Sequence, residues 1–222
     1  MTLAAGQTGT NVALTPLADA YLEGPETVTL TLASGSGYLA GTPANATVTI
    51  ADANTNRPPV LVAVSNQTLF AGQTLQLTNA ATDPDLPAQT VSFGLAAAPD
   101  GLTLDALTGV LSWRPAVASA PLVTQVRVTA TDSGSPSLSS TQSFWVTVNR
   151  PVATLVAPAL NPQGFTLRLT GDPGPDMTIQ HSTNLVNWAT LLTTNSPWLP
   201  LDWTDATATN APQGFYRLLL GP

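Results

Sequence analysis

The sequence predicts an all-β fold made of antiparallel sandwiches. Apolar and polar residues alternate along several short segments, among them TVTLTL at 27–32, QVRVTAT at 125–131 and FTLRLT at 165–170. Such alternation places one face of a strand against a core and the other face in water. The chain also contains 20 prolines and 16 glycines, which interrupt nearly every window, and no apolar stripe repeats with a helical period.

Two proline-containing breaks divide the strands into three groups. The first break is DANTNRPPV, where a polar run is followed by two prolines, and the second is NRPVATLVAP, where proline comes just after a strand. Proline removes a backbone donor, so neither strand nor helix continues through such a segment. We therefore expect three β modules, at residues 1–54, 58–149 and 153–222.

Composition excludes several classes of partner. The net charge is −7, all six cations are arginine, and there is no cysteine. An acidic chain of this kind is a poor partner for nucleic acid or an anionic membrane surface. The absence of cysteine excludes disulfides, thiolate metal sites and a cysteine nucleophile.

No stretch reaches the roughly 18 consecutive apolar residues of a membrane span. The first twelve residues do not have the pattern of a secretory signal, so we expect the chain to be a piece of a longer protein.

The sequence does not predict an enzyme. The single histidine, His181, alternates with Met177 and Ile179 on one face of a predicted strand, which favours a half-buried structural role. The serine-rich segments SGSG and SGSPS are turns that do not match a nucleophile elbow, and no phosphate-binding loop follows a strand. We expect a non-catalytic protein.

The segment DAYLEGPETVTL holds the only two glutamates of the chain, Glu23 and Glu26, close to Asp19. Gly24-Pro25 interrupts strand geometry, so both glutamates belong to a loop and could converge. Calcium takes six to eight oxygen ligands, which a loop with three carboxylates can begin to supply. The alternative is a solvated turn before a strand.

This first module resembles the C-terminal half of a Calx-beta domain, in which calcium is bound by acidic loops at one end of the sandwich. The matching segments are TPLADAYLEGPETVTLTLASGSGY and ATVTIADAN. The resemblance implies four calcium ligands, namely Asp19, Glu23, Glu26 and Asp52. Ala18 and Ala53 stand at positions that are often acidic in that family.

Only half of the first sandwich is expected in this chain. An immunoglobulin-like sandwich needs about 100 residues, and only 54 precede the first break. The inward face of its strands would then lack an opposing sheet and be exposed. That face consists of Val12, Leu14, Val28, Leu30, Leu32, Val48 and Ile50.

The second module resembles the cadherin-like and immunoglobulin-like repeats of bacterial proteins. The matching segments are ATDPD, LDALTGVLSW, VTATDSGSPSLSSTQSFWVTV and the linker DANTNRPP. In cadherins, such groups gather calcium at the joint between consecutive domains. The resemblance implies five candidate ligands, namely Asn54, Asn56, Asp83, Asp85 and Asp132. The alternative for Asp83-Pro84-Asp85 is an ordinary turn, which these residue types also favour. A calcium cluster shared by the acidic residues of the first and second modules, at the joint between these modules (the first joint), would relieve the repulsion between their carboxylates.

The third module resembles fibronectin type III-like C-terminal modules of large secreted bacterial proteins. The matching segments are GFTLRLTGDPG, IQHSTNLVNWATL and GFYRLL. Its aromatic residues are expected mostly in the core, with a surface row that stacks on sugar rings as the alternative. They are Phe165, Trp188, Trp198, Trp203, Phe215 and Tyr216.

Together these resemblances imply tandem immunoglobulin-like antiparallel β-sandwiches, the first one incomplete. The function that they imply is a calcium-stiffened spacer or adhesion segment of a large secreted or cell-surface protein. Its partners would be neighbouring β modules of a longer chain and a surface protein or polysaccharide. The alternative function is a polysaccharide-binding accessory tail of a secreted hydrolase.

Overall fold

A computed structural model describes residue 6, residues 9–210 and residues 213–221 of the chain. The all-β prediction is confirmed. For the description we call residues 9–54 the N-terminal segment, residues 58–149 the central segment and residues 153–221 the C-terminal segment.

The strands follow one another with short loops. Those of the N-terminal segment are β1 (Glu26–Thr31) and β2 (Asn45–Ile50). Those of the central segment are β3 (Val60–Leu61), β4 (Gln67–Phe70), β5 (Leu75–Thr78), β6 (Ala81–Thr82), β7 (Ser92–Ala97), β8 (Thr103–Leu104), β9 (Val110–Trp113), β10 (Leu122–Thr131) and β11 (Ser139–Asn149). Those of the C-terminal segment are β12 (Ala153–Asn161), β13 (Gly164–Gly171), β14 (Asp176–Ser182), β15 (Ala189–Thr194), β16 (Leu201–Asp205) and β17 (Phe215–Gly221). Two 3₁₀ helices, Val117–Ser119 and Ala206–Asn210, lie in loops.

The long hairpin of β10 and β11 organises the central segment. The two strands pair from Leu122 with Val148 to Thr131 with Ser139. They form the middle of a four-stranded sheet in the order β4-β11-β10-β7. The pairing of β4 with β11 is parallel, whereas the other strand pairs of the described residues are antiparallel. The first strand of this sheet therefore runs alongside the last one.

The core of the central segment lies between this sheet and the smaller sheet β5-β9-β8, whereas β3 and β6 form a separate two-stranded sheet. Every second residue of the middle strands points into it, as the alternation predicts: Val126 and Val128 from β10, and Phe144 and Val146 from β11, are fully buried. Burying one such side chain contributes about 1.5–3 kcal/mol. These side chains fix which face of the hairpin is inward.

The C-terminal segment is a sandwich of two three-stranded sheets, β12-β13-β16 and β15-β14-β17. Its buried core is small and consists of Leu167, Leu169, Met177 and Ile179. The predicted apolar face of the segment at 199–203 packs against this core through Leu199, Leu201 and Trp203.

Several other predictions for this segment can be compared with the structure. Phe165 and Tyr216 stack with ring centroids 4.6 Å apart and pack against the core. His181 is half-buried beside the ring of Tyr216, as its position on the strand predicts. The expectation of a core position is wrong for Trp198, which is 96% exposed because it lies in the loop between β15 and β16 rather than on a strand.

The described part of the N-terminal segment has one sheet, the antiparallel pair of β1 and β2. Its apolar face is largely exposed, as expected for strands without an opposing sheet. Leu32 is 54% exposed and Val48 is 48% exposed, and Val12, Leu14 and Leu30 are exposed as well. Val28 and Ile50 are half-buried. Such a face is a surface that a further sheet or another chain would cover.

The central and C-terminal segments meet at a second joint, which is held by Arg114. Its Nε donates to the carbonyl oxygen of Gly72 at 2.7 Å, inside the central segment. Its Nη2 reaches across to three groups of the C-terminal segment: the carboxylate of Asp176 at 2.7 Å, the hydroxyl of Ser196 at 3.1 Å and the carbonyl of Gly174 at 3.2 Å. One guanidinium thus fixes two loops relative to the central segment.

Glycines allow the two backbones to meet at this joint. A Cβ on Gly72 would lie 2.6 Å from the Cα of Pro175, and a Cβ on Gly174 would lie 2.6 Å from the backbone nitrogen of Gln73. Both glycines also have positive φ angles, 87° and 116°. Any other residue at either position would push the joint apart.

We expect Arg114→Ala to lower the free energy of unfolding by about 1–2 kcal/mol, because it removes charge-assisted hydrogen bonds that only partly face solvent. The control is Arg168→Ala, which removes an exposed bidentate pair with Asp202 inside one sheet. Thermal unfolding of the full chain measures both. An Arg168 variant as destabilised as the Arg114 variant would contradict the assigned role.

Candidate metal centre

Four of the nine predicted ligands lie where the linker enters the central segment. The linker residues 52–57 connect β2 with β3, and the loops that follow β6 and β10 carry Asp83, Asp85 and Asp132. The hydrogen bonds of the linker residues Asn56 and Arg57 reach both of these loops. The structure therefore gathers segments that are up to about 80 residues apart in the sequence.

Asn56 connects the linker to the loop after β10. Its Nδ2 donates to Oδ2 of Asp132 at 3.1 Å and to the carbonyl oxygen of Pro136 at 2.9 Å. The side-chain amide of Gln89 donates to Oδ1 of Asn56. A Cβ on Gly134 would overlap the Asn56 side chain, so the glycine at this position leaves the space that Asn56 occupies.

Asp132 is buried and held by its own loop. Its Oδ1 accepts hydrogen bonds from the backbone N–H groups of Gly134 at 3.0 Å and Leu138 at 2.9 Å. The loop folds around this oxygen, which is the ordinary role of an aspartate in a turn. The other oxygen, Oδ2, points to the linker and takes the bond from Asn56.

The two carboxylate oxygens of Asp83 differ in their hydrogen bonding. Its Oδ1 accepts hydrogen bonds from the backbone N–H groups of Asp85 at 3.1 Å and Gln89 at 3.2 Å, as in an ordinary turn. Its Oδ2 and Oε1 of Gln89 are buried, and neither has a hydrogen-bond partner among the described residues. Buried oxygens without a donor are costly, typically by about 1–3 kcal/mol each. Each of these oxygens needs a donor or a cation to offset that cost.

Asp85 is the third carboxylate of this group, and it is 4% exposed. Its Oδ1 accepts from Nε of Arg57 at 2.9 Å, and its Oδ2 accepts from the backbone N–H of Arg57 at 2.9 Å. The backbone N–H of Arg57 lowers the pKa of Asp85, and the guanidinium lowers it further, whereas burial opposes them. Asp85 is therefore held in its ionised form.

The remaining predicted ligands belong to the N-terminal segment and line a pocket of about 150 Å³. This pocket is bordered by Asp19, Glu23, Glu26, Asp52 and Asn54. The carboxylate of Asp19 raises the pKa of Glu23, and burial and the carboxylates of Glu26 and Asp52 raise it as well. The pocket thus collects negative charge.

Asp52 and Asn54 fix the walls of this pocket. Oδ2 of Asp52 accepts from the backbone N–H groups of Glu23 at 2.8 Å and Gly24 at 3.1 Å, and Oδ1 accepts from Asn54 at 2.9 Å. The N–H of Asn54, followed by those of Glu23 and Gly24, lowers the pKa of Asp52. Nδ2 of Asn54 donates to the carbonyl oxygens of Asp19 and Tyr21. Asp52 and Asn54 therefore join the end of β2 to the acidic loop.

The hydrogen bonds and the lining of the pocket sort the nine predicted ligands into two groups. Asn56, Asp83, Asp85 and Asp132 form the joint group, and Asp19, Glu23, Glu26, Asp52 and Asn54 form the pocket group. A backbone hydrogen bond of 2.6 Å from Leu22 to the carbonyl of Leu86 links the loops that carry them. In the part of the chain that the structure describes, no three acidic or histidine side chains stand close enough together to hold a metal ion. A single cluster shared by both groups stays a prediction.

The donor set of the joint group fits calcium in kind. Its free atoms are carboxylate and amide oxygens, the hard ligands that calcium takes. The two buried oxygens without a donor, Oδ2 of Asp83 and Oε1 of Gln89, are the observation that favours a cation. Main-chain carbonyls and water would complete a coordination shell of six to eight oxygens.

Sequence reasoning missed three residues that lie next to the joint group: Arg57, Gln89 and Gly134. Arg57 could have been noticed as the one cation of the linker. Gly134 is part of the matched segment ATDSGSPS, but its role depends on the path of the linker. Nothing in the sequence around Gln89 indicates that its side chain reaches the linker.

A second concave site lies in the C-terminal segment. It has a volume of about 390 Å³ and is lined by Phe165, Trp188, Phe215 and Tyr216 together with aliphatic side chains. The guanidinium of Arg217 lies 4.2 Å from the centre of the Trp188 ring. Aromatic lining of this kind can stack on flat or cyclic ligands.

Residues 58–149 match the family model described as "Putative Ig domain". The central segment therefore contains an immunoglobulin-like domain, and the predicted resemblance to immunoglobulin-like repeats is confirmed there. The Calx-beta and fibronectin type III resemblances stay predictions. No curated protein matches the chain. The described residues include no helix long and apolar enough to cross a membrane.

Several solved structures are similar to parts of the chain. One is protocadherin gamma B2 extracellular cadherin domains 3-6, at 22% identity and a TM-score of 0.38, covering 54% of this chain and 32% of that chain. Another is human CDH23 EC21-23, at 22% identity and a TM-score of 0.35, covering 59% and 51%. A third is a nucleoside hydrolase-related hypothetical protein from Saccharophagus degradans associated with carbohydrate metabolism, at 20% identity and a TM-score of 0.33, covering 42% and 26%. The chain spans less than two thirds of the length of each.

We expect Gly134→Ala to destabilise the protein by about 1–3 kcal/mol, because the added methyl group displaces Asn56 from Asp132. In an Asn56→Ala background the same change should cost much less, since the obstructing side chain is gone. The control is Gly41→Ala, where a Cβ meets open space and the backbone angle is ordinary. Thermal unfolding of the unchanged chain, the two single variants and the double variant gives the double-mutant cycle. Equal penalties with and without Asn56 would contradict the contact.

Proposed function

We propose that this chain is a non-catalytic spacer or adhesion segment of a large secreted or cell-surface protein, and that calcium stiffens its first joint. The proposal divides the chain into three β modules at residues 1–54, 58–149 and 153–222. Neighbouring β modules of a longer chain would be its immediate partners, with a surface protein or polysaccharide as the ligand of any adhesion.

The observation that carries the proposal is the pair of buried oxygens at the joint. Oδ2 of Asp83 and Oε1 of Gln89 have no donor among the described residues, beside a linker that is already bonded to Asp132 and Asp85. A divalent cation there would bond to groups of both the linker and the central segment. It would reduce the freedom of the linker because the metal-bound state requires all of these loops together.

The residues that would hold calcium are Asp83, Asp132 and Asn56 of the joint group together with the amide oxygen of Gln89, whereas both oxygens of Asp85 accept hydrogen bonds from Arg57. The pocket group would form a separate and more exposed site around Glu23. Calcium would supply positive charge to both places, where carboxylates now repel one another. No reaction is assigned to either site, since the role of the metal is structural.

The location follows from the same reasoning. Calcium sites of extracellular modules bind in the range of about 10⁻⁴–10⁻³ M, which is matched to the calcium concentration outside cells rather than inside. An immunoglobulin-like domain in a chain without cysteine does not depend on an oxidising compartment for its stability. Metal binding at the joint would take the place that cross-links have in other extracellular modules.

We expect calcium to raise the melting temperature of the full chain relative to the chain in chelator. At about 100-fold above the dissociation constant, one site adds about 2.7 kcal/mol. Asp83→Asn should lose most of this response. The matched control is Asp105→Asn, which also removes a turn-capping carboxylate of the central segment but lies between β8 and β9, outside the joint. Identical melting curves in chelator and in excess calcium would overturn the proposal.

The aromatic pocket of the C-terminal segment is the observation that favours the alternative, a polysaccharide-binding tail. Under the preferred proposal this pocket serves packing, so we expect no retention of the full chain on cellulose, chitin or xylan. The alternative would be supported by retention that Trp188→Ala abolishes and that Trp145→Ala, a change of an exposed tryptophan on β11 of the central segment, leaves intact.

A further inference from the structure

Arg57 is the cation nearest to the joint group, and its position is unusual for a linker residue. It follows Asn56, which is bonded to Asp132, and precedes two prolines. Its backbone N–H and its Nε bind the two oxygens of Asp85, and its Nη2 donates to the carbonyl oxygen of Pro84. Arg57 therefore donates hydrogen bonds to both carboxylate oxygens of Asp85, which is one of the predicted calcium ligands.

The exposure of the two partners differs strongly. The side chain of Asp85 is 4% exposed, whereas that of Arg57 is 59% exposed. A buried carboxylate needs a counter-charge or several donors to remain ionised. Arg57 supplies both, and it does so from the solvent side of the joint, where an incoming ion would approach.

We propose that Arg57 is a built-in counter-cation of the first joint, which holds the linker on Asp85 when calcium is absent and competes with calcium when it is present. The second half of this proposal rests on the calcium binding proposed above. The first half depends only on the contacts of Arg57 and holds for the metal-free protein.

Competition follows from elementary electrostatics. Asp85 has two oxygens, and both already accept hydrogen bonds from Arg57. A calcium ion using Asp85 would have to share these oxygens with a fixed positive charge, and like charges at close range repel. The neighbouring free oxygens of Asp83 and Gln89 would be left as the favoured ligands. Arg57 thus selects which part of the joint group calcium takes, and it weakens the binding.

The test is Arg57→Gln in the full chain, studied by thermal unfolding in chelator and by calcium titration calorimetry. We expect a lower melting temperature in chelator, because Asp85 loses its counter-charge. We also expect calcium to bind about tenfold more tightly, the scale set by one unit charge acting on a divalent ion across a binding site in water. The matched control is Arg127→Gln, on the exposed face of β10, which should change neither quantity.

Arg57→Lys separates charge from geometry. Lysine keeps the positive charge but not the planar fork, so calcium affinity should stay close to that of the unchanged chain while the melting temperature in chelator falls between those of the other two. This variant also covers the case in which the glutamine variant does not fold.

Two results would overturn the proposal. An unchanged melting temperature of Arg57→Gln in chelator removes the counter-cation role. Equal or weaker calcium binding by Arg57→Gln removes the competition. If neither the unchanged chain nor the variant responds to calcium, the proposed function and the competition fail together, whereas the metal-free role is still decided by the melting temperature in chelator.

Discussion

The pairing of β10 with β11 is the constraint on which the central segment and its joint depend. The register that pairs Thr131 with Ser139 and Leu122 with Val148 places alternate side chains of both strands in the core. A slip by one residue would turn every one of them to solvent. The same register closes the loop that begins at Asp132, so the packing of the core also decides where this carboxylate meets the linker.

The sequence was sufficient for the strands and for some of the loop residues at the joint, since alternation marks buried faces and short acidic motifs mark loops. Asp132 and Asn56 could be placed together from their motifs, and the structure puts them 3.1 Å apart. The division of the nine acidic and amide residues into two groups could not be predicted, because it depends on loop paths between residues far apart in the chain. For the same reason Gln89 and Arg57 were missed. Trp198 was wrongly expected in the core because it lies in the loop before β16 and not on the strand itself.

The two joints of the chain are held by opposite arrangements of charge. At the second joint Arg114 donates hydrogen bonds to four acceptors, one in the central segment and three in the C-terminal segment. At the first joint the acceptors outnumber the donors, and two buried oxygens are left over. A chain with six arginines and no lysine has few cations to distribute, so the placement of each one matters. The second joint is satisfied by protein groups, and the first has a need that a solute can fill.

The close approach of Gly72 and Gly174 gives the second joint a mechanical meaning. The two backbones approach each other directly at this joint, and Arg114 bonds to both of the loops that meet there, so the contact leaves little space to compress. The central and C-terminal segments should then turn together as a single lever arm whose pivot is the first joint. A small change of angle at residues 52–57 would be carried along both segments and would appear as a large displacement at the far end of β14, where Ser182 pairs with Phe215.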